Sequence, residues 1–185
     1  MHNKSFSMIF AAMGIVLNLV LGTMVSMAKI PFLFLDTIGT IFVAATLGPV
    51  YGMLTGGLTN VIQGFLTNPK DIPFALVNIA IGLIVGIAAK KGEFGFKKSI
   101  VVGIILSIVA PLIGTPIAVW IYGGLTGGGQ DIIFAWLLKS GQSIFTAAFI
   151  PRILSNLIDK IGSCILVAFL ITRIPYDMKK KLGVK

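Results

Sequence analysis

The chain has 185 residues, of which 56% are hydrophobic and only 11% charged, and its mean hydropathy is +1.01. That leaves too little polar surface for a soluble globule and points to an integral membrane protein. The formal net charge of +9 reads as a topology signal and an attraction to anionic membrane lipid, not as nucleic-acid binding.

Continuous rather than alternating apolar runs argue against a β-barrel. A helix needs about 20 apolar residues to cross a bilayer core, so there is room for roughly six crossings with short loops. The single Cys164 lies in an apolar run and admits no internal disulfide. His2 is the only histidine and sits near the start, so the membrane region lacks the commonest metal ligand and general base. The sequence asks for no metal or cofactor. It also contains no Gly-x-x-x-x-Gly-Lys-Ser/Thr loop, so ATP hydrolysis, if it drives this protein, belongs to a separate subunit.

The first helix is expected over 6–28, retained because it is long enough to span and lacks a convincing cleavage site followed by soluble sequence. Small residues at Ser7, Ala11, Gly14, Asn18 and Gly22 form a strip that suits close packing, within the chain or against another subunit. Pro31 then bars continuation, and the aromatics of Phe32 and Phe34 suit an interfacial cap. A second helix is expected over 35–47 and a third over 49–66, divided by Gly48-Pro49, with the proline in a first turn where its missing N–H costs nothing. The two read as a hairpin that dips through the membrane and returns, bringing Asp36 and Asn60 to the same side.

A turn over 68–73 leads to a fourth helix over 73–90 that contains Asn78. After the basic loop Lys90–Lys98, a fifth helix over 99–122 holds Pro111 and Pro116, each expected to kink or break it. Gly123–Gly129 reads as a flexible lid or hinge. Asp131 caps a short helical stretch with Trp136, Lys139 and Gln142 that runs to about Ile150, where Pro151 ends it. A last helix over 153–174 opens with Asn156, Asp159 and Lys160 and leads to the basic tail Lys179–Lys181 and Lys185. The expected fold is one all-α integral membrane domain, 1–185, of six transmembrane helices. A Gly-rich extracellular lid and short helix over 123–150 separate helices 5 and 6.

Of the 15 basic residues, Lys4, Lys90, Lys91, Lys97, Lys98, Arg173, Lys179, Lys180, Lys181 and Lys185 fall on one side of that layout. Lys29, Lys70, Lys139, Arg152 and Lys160 fall on the other. The excess places both termini in the cytoplasm of a multi-pass cell-membrane protein. Asp36, Asn60, Gln63, the start of the fourth helix, the lid, Asn156, Asp159 and Lys160 then converge on one outward-facing pocket.

The pattern Leu35-Asp36, Ile38-Gly39-Thr40, Leu47-Gly48-Pro49, Gly52 and Leu58-Thr59-Asn60, with Asn156 to Lys160 near the last helix, resembles the substrate-binding S component of an energy-coupling factor (ECF) vitamin transporter. The likeness covers nearly the whole chain in length, helix count and charge asymmetry. It implies a six-helix protein that captures a vitamin or precursor from outside and topples in the membrane to release it. Its implied partners are a transmembrane coupling subunit and two cytoplasmic ATPase subunits. The family's Ala-x-x-x-Ala docking signature on the first helix is matched imperfectly, by Ser7-x-x-x-Ala11 followed by Gly14.

On this reading Asp36 accepts hydrogen bonds from ligand OH or NH groups or balances a basic ligand, and Asn60, Gln63 and Asn78 read donor and acceptor edges. Trp120, Tyr122 and Trp136 offer flat contact with an aromatic ring. The alternatives are that Asp36 caps the second helix, that Asn60 bonds between helices, and that the tryptophans anchor the interface. Asp159 and Lys160 either touch ligand or neutralise other buried charge. The favoured cargo is heteroaromatic, a vitamin B6-like pyridine ahead of a pyrimidine, a benzimidazole or a cobalamin-type ligand. A small oligomeric ion-coupled secondary transporter or channel is the alternative function, since embedded Asp36 and Asp159 can carry protons. A membrane enzyme lacks a histidine or a nucleophile-base pair in the membrane.

Overall fold

The computed structural model describes residues 4–30, 32–127 and 129–182. His2, Pro31, Gly128 and Lys185, on which parts of the sequence reading rest, lie outside them, as do the side chains of Lys180 and Lys181. The helices are α1 (Lys4–Ala28), α2 (Ile38–Leu47), α3 (Pro49–Leu66), α4 (Ala75–Lys90, entered through a 3-10 turn at Pro69–Phe74), α5 (Phe96–Tyr122), α6 (Asp131–Lys139), α7 (Ile144–Thr172) and α8 (Tyr176–Leu182). Among the described residues four stretches are long and apolar enough to cross a membrane: Lys4–Ala28, Pro69–Lys90, Phe96–Tyr122 and Ile144–Thr172. The other two expected crossings are α2, at 10 residues, and α3, at 18 residues. At 1.5 Å per residue, α2 is only about 15 Å long, half of a bilayer core.

Gly48 and Pro49 turn the chain from α2 into α3. Gly48 takes φ +89°, a conformation that costs glycine little, and Pro49 starts α3 in the first turn. α2 thereby becomes the axis of the fold, packed against α1, α3, α4 and α7. Its Ile38, Gly39, Thr40, Ile41, Val43, Ala44 and Thr46 are all buried, as expected of a helix apolar on nearly every face. Around it the core is Ile81 and Val85 from α4, Val102 and Leu106 from α5, and Cys164 and Val167 from α7.

Two glycine pairs let backbones touch. A Cβ on Gly39 would fall on the backbone of Gly14, and one on Gly82 would fall on the backbone of Gly52, so α1 meets α2 and α3 meets α4 at separations no larger residue allows. Of the two uses expected for the small-residue strip of α1, packing within the chain is the one these contacts display. Ser7 and Gly14 are buried inside the chain, and Ala11 packs at the edge of the Phe10, Val43 and Leu182 cluster. The strip is consumed by intrachain packing, while α1 turns Met8, Met13, Val16, Val20 and Met24 outward.

The prolines differ from expectation as well. Pro111 and Pro116 lie inside an unbroken α5, and Pro151 lies inside α7 rather than before it. α7 starts early because the Ser143 hydroxyl accepts the N–H of Thr146 at 3.1 Å, a side-chain cap strong enough to set the boundary. The short preceding helix accordingly ends at Lys139, not near Ile150. The basic tail forms α8, and its Leu182 is fully buried against Phe10 and Val43.

Candidate functional site

The site is built at the N-terminal end of α2. Thr37, at the helix boundary, makes no side-chain cap. Asn18 of α1 supplies one from across the bundle: its Oδ1 accepts the N–H groups of Gly39 at 2.7 Å and Thr40 at 3.4 Å. Its Nδ2 donates to Thr40 Oγ1 at 2.8 Å and to Thr59 Oγ1 at 3.0 Å. One carboxamide thus satisfies the first turn of α2 and ties α1, α2 and α3 together, using both its donor and acceptor edges.

The loop leading into α2 bends sharply, with Lys29, Phe32 and Leu35 all at positive φ, a region that costs a side-chain-bearing residue energy. Asp159 of α7 holds it in place. Its Oδ1 accepts the N–H groups of Phe34 and Leu35, each at 2.9 Å. Its Oδ2 accepts from Lys160 Nζ at 2.7 Å. Lys160 also donates to Thr37 Oγ1 at 2.9 Å, lies 3.5 Å from Asp36 Oδ1 and sits over the Phe34 ring. Lys160 is therefore a neutralised buried cation, paired and hydrogen-bonded as burial requires.

These elements enclose a cavity of about 320 Å³. Of the sequence-derived candidates, Asp36, Asn60, Gln63, Asn78, Asn156 and Lys160 line it. Asn78 Nδ2 donates to Asn60 Oδ1, linking α3 and α4 at the wall. Asp36 is open to the cavity, its side chain 44% exposed. Asp159, at 0% exposure, lies behind the wall as a support for the loop and for Lys160.

The aromatic candidates are elsewhere. Trp120 and Trp136 are 86% and 67% exposed, and they point away from the bundle. Tyr122 donates to Asp71 Oδ1 at 2.7 Å and accepts from Asn68 Nδ2 at 2.9 Å, securing the 3-10 turn. The cavity's flat surfaces come instead from Phe32, Phe34 and Phe74. Among the residues the sequence reading missed, Arg152, Gln130 and Ser155 line the cavity as well. Arg152 enters the sequence reading only through its side of the membrane, because Pro151 beside it reads as a helix end. The Gly-rich segment borders the cavity through Thr126, Gly127, Gly129 and Gln130. Asp131 ties that segment down by accepting the N–H groups of Thr126 at 3.3 Å and Gly127 at 2.6 Å.

A walled polar cavity at one end of an apolar helical bundle suits capture of a small molecule, and comparison with known proteins agrees. Residues 6–171 match the family described as ECF transporter, substrate-specific component. No curated protein and no solved structure matches the chain. The family match covers nearly all of the four long helices and every residue that lines the cavity. The chain therefore belongs to the ECF transporter substrate-specific component family: it is the substrate-binding membrane subunit of a transporter that works with an energy-coupling module, and not an enzyme.

Proposed function

We propose that the cavity at the head of α2 is the cargo site and that the cargo is a vitamin or vitamin precursor. The observation that carries this reading is that Asp36, from before α2, and Asn60 and Asn78, from α3 and α4, meet on one cavity with Asn156 and Lys160 of α7. A volume of about 320 Å³ is at the small end of small-molecule pockets. It suits a single-ring compound and disfavours a cobalamin. Phe34 and Phe74 give a heteroaromatic ring its apolar walls, and Asp36 accepts its hydroxyl or ring N–H, which keeps a vitamin B6-like pyridine first among the compounds to test.

The distribution of basic residues supports both termini in the cytoplasm and the cavity facing out. On that orientation α2 and α3 form the descending and returning arms of a hairpin, and the Gly-rich segment is the lid. Energy would come from two cytoplasmic ATPase subunits through a transmembrane coupling subunit. Lipid and the coupling subunit would share the outward apolar side chains of α1, such as Met13, Val16 and Val20.

The test is mass spectrometry of the small molecules released when the purified protein is denatured, with a thermal-shift screen of vitamins alongside. A stoichiometric heteroaromatic is the expected result. An empty protein whose melting no vitamin shifts, together with uptake that survives ATP depletion but stops when the ion gradient collapses, would replace this reading with an ion-coupled carrier.

A further inference from the structure

We infer that the cargo carries an acidic group, a carboxylate or phosphate, held by Arg152, and presents OH or NH donors to acceptors elsewhere in the cavity lining. The inference rests on the cavity being the cargo site, as proposed above, and concerns what that cavity leaves unsatisfied.

Arg152 lines the cavity and is only 6% exposed. Its Nη1 donates to the Ala148 carbonyl at 2.8 Å and its Nη2 to the Gly124 carbonyl at 3.1 Å. A guanidinium has five N–H donors, so those two bonds leave donors over, and carbonyls cancel none of its charge. Among the described residues no carboxylate forms an ion pair with it. Asp131, the acid that acts on it through space, accepts the N–H groups of Thr126 and Gly127 and makes no ion pair with it. Lys160, in the same cavity, has Asp159 and Asp36. The site thus contains one cation in contact ion pairs and one with no carboxylate in contact. A buried charge without a partner is expensive, and a planar fork of donors is the group that best takes a carboxylate or phosphate.

The rest of the cavity lining is short of donors. Asn78 Oδ1 and Gln130 Oε1 have no hydrogen-bond partner among the described residues, although Asn78 and Gln130 are only 3% and 5% exposed. Their amide nitrogens already donate, to Asn60 Oδ1 and Thr126 Oγ1, so each residue keeps an unmet acceptor beside the cavity it lines. Asp36, whose side chain is 44% exposed and lines the same cavity, adds a carboxylate acceptor. Buried acceptors left unmade cost free energy, and a cargo bearing OH or NH groups supplies what they lack.

The test uses matched pairs that differ in the acidic group alone: nicotinate against nicotinamide, pantothenate against pantothenol, and pyridoxal phosphate against pyridoxal. Affinities are measured on the purified full-length protein and on Arg152→Gln. The expected result is an acid bound at least about tenfold more tightly than its neutral partner, with that preference lost in Arg152→Gln. A neutral partner that binds wild type as tightly as the acid overturns the inference without recourse to the variant, and it leaves the binding role intact. So does a molecule released from the purified protein that has no acidic group. Binding of no pair, with nothing released, overturns both this inference and the proposed function.

Discussion

Asp159 Oδ1 accepts the backbone N–H of Leu35 at 2.9 Å, and Leu35 is held at φ 52°. A carboxylate on the last long helix therefore fixes a left-handed residue more than a hundred positions earlier, at the point where the chain enters α2. The same carboxylate pairs with Lys160, so it carries two tasks. Removing it frees the strained loop and leaves a buried ammonium with only Asp36. Asp159→Ala is expected to cost about 3–5 kcal/mol, the range for breaking a buried pair, read as a lower melting temperature in detergent. Asp159→Asn keeps an acceptor for the loop and should lose less; an Asp159→Ala protein that melts like wild type would show that the loop needs no anchor.

Asn18 has a comparable structural role without charge. It caps α2 in place of Thr37 and bridges to Thr40 and Thr59. Asn18→Ala removes a cap worth about 1 kcal/mol and orphans buried groups at about 1–3 kcal/mol. Thr59→Val, which deletes one partner of the four, is expected to cost about 1 kcal/mol. Thermal unfolding of both variants checks the ordering, and equal losses would mean that the cap itself contributes nothing.

Helix positions were legible because apolar runs and Gly-Pro breaks are local signals: the expected 49–66 helix is α3 as observed. So was the gathering of Asp36, Asn60 and Asn156 at one end, which follows from helix direction alone. What failed depended on tertiary context. Pro151 was read as a break, since the sequence does not reveal that Ser143 starts α7 before it. Trp120 and Trp136 lie outside the cavity, because the rotation of a helix within a bundle, which residue type does not reveal, decides which side chains turn inward. The small residues of α1 signalled close approach without naming the partner: Gly14 meets Gly39 of the same chain.

That contact gives a paired expectation. A Cβ on Gly39 would overlap the Gly14 backbone, whereas one on Gly162 would meet nothing within 4 Å. Gly39→Ala must push α1 from α2 and is expected to cost about 1–3 kcal/mol or more. Gly162→Ala, on the open face of α7, should be neutral or stabilise by up to about 1 kcal/mol through helix propensity. Melting temperatures that shift alike in the two proteins would contradict the close approach.

The cargo site and the aromatic surface separate by mutation. Asp36 and Asn60 line the cavity while Trp120 and Trp136 are exposed on the outside. Asp36→Asn removes the charge that an OH or NH donor meets, and Asn60→Ala removes a wall carboxamide and the partner of Asn78. Each is expected to weaken cargo binding at least about tenfold, or 1.4 kcal/mol, in a protein that still folds in detergent. Trp120→Ala and Trp136→Ala, measured by the same binding assay, should leave affinity within about twofold of wild type, since neither ring reaches the cavity. Loss of binding in the tryptophan variants with none in Asp36→Asn and Asn60→Ala would move the site from the head of α2 to the outer face of α5 and α6.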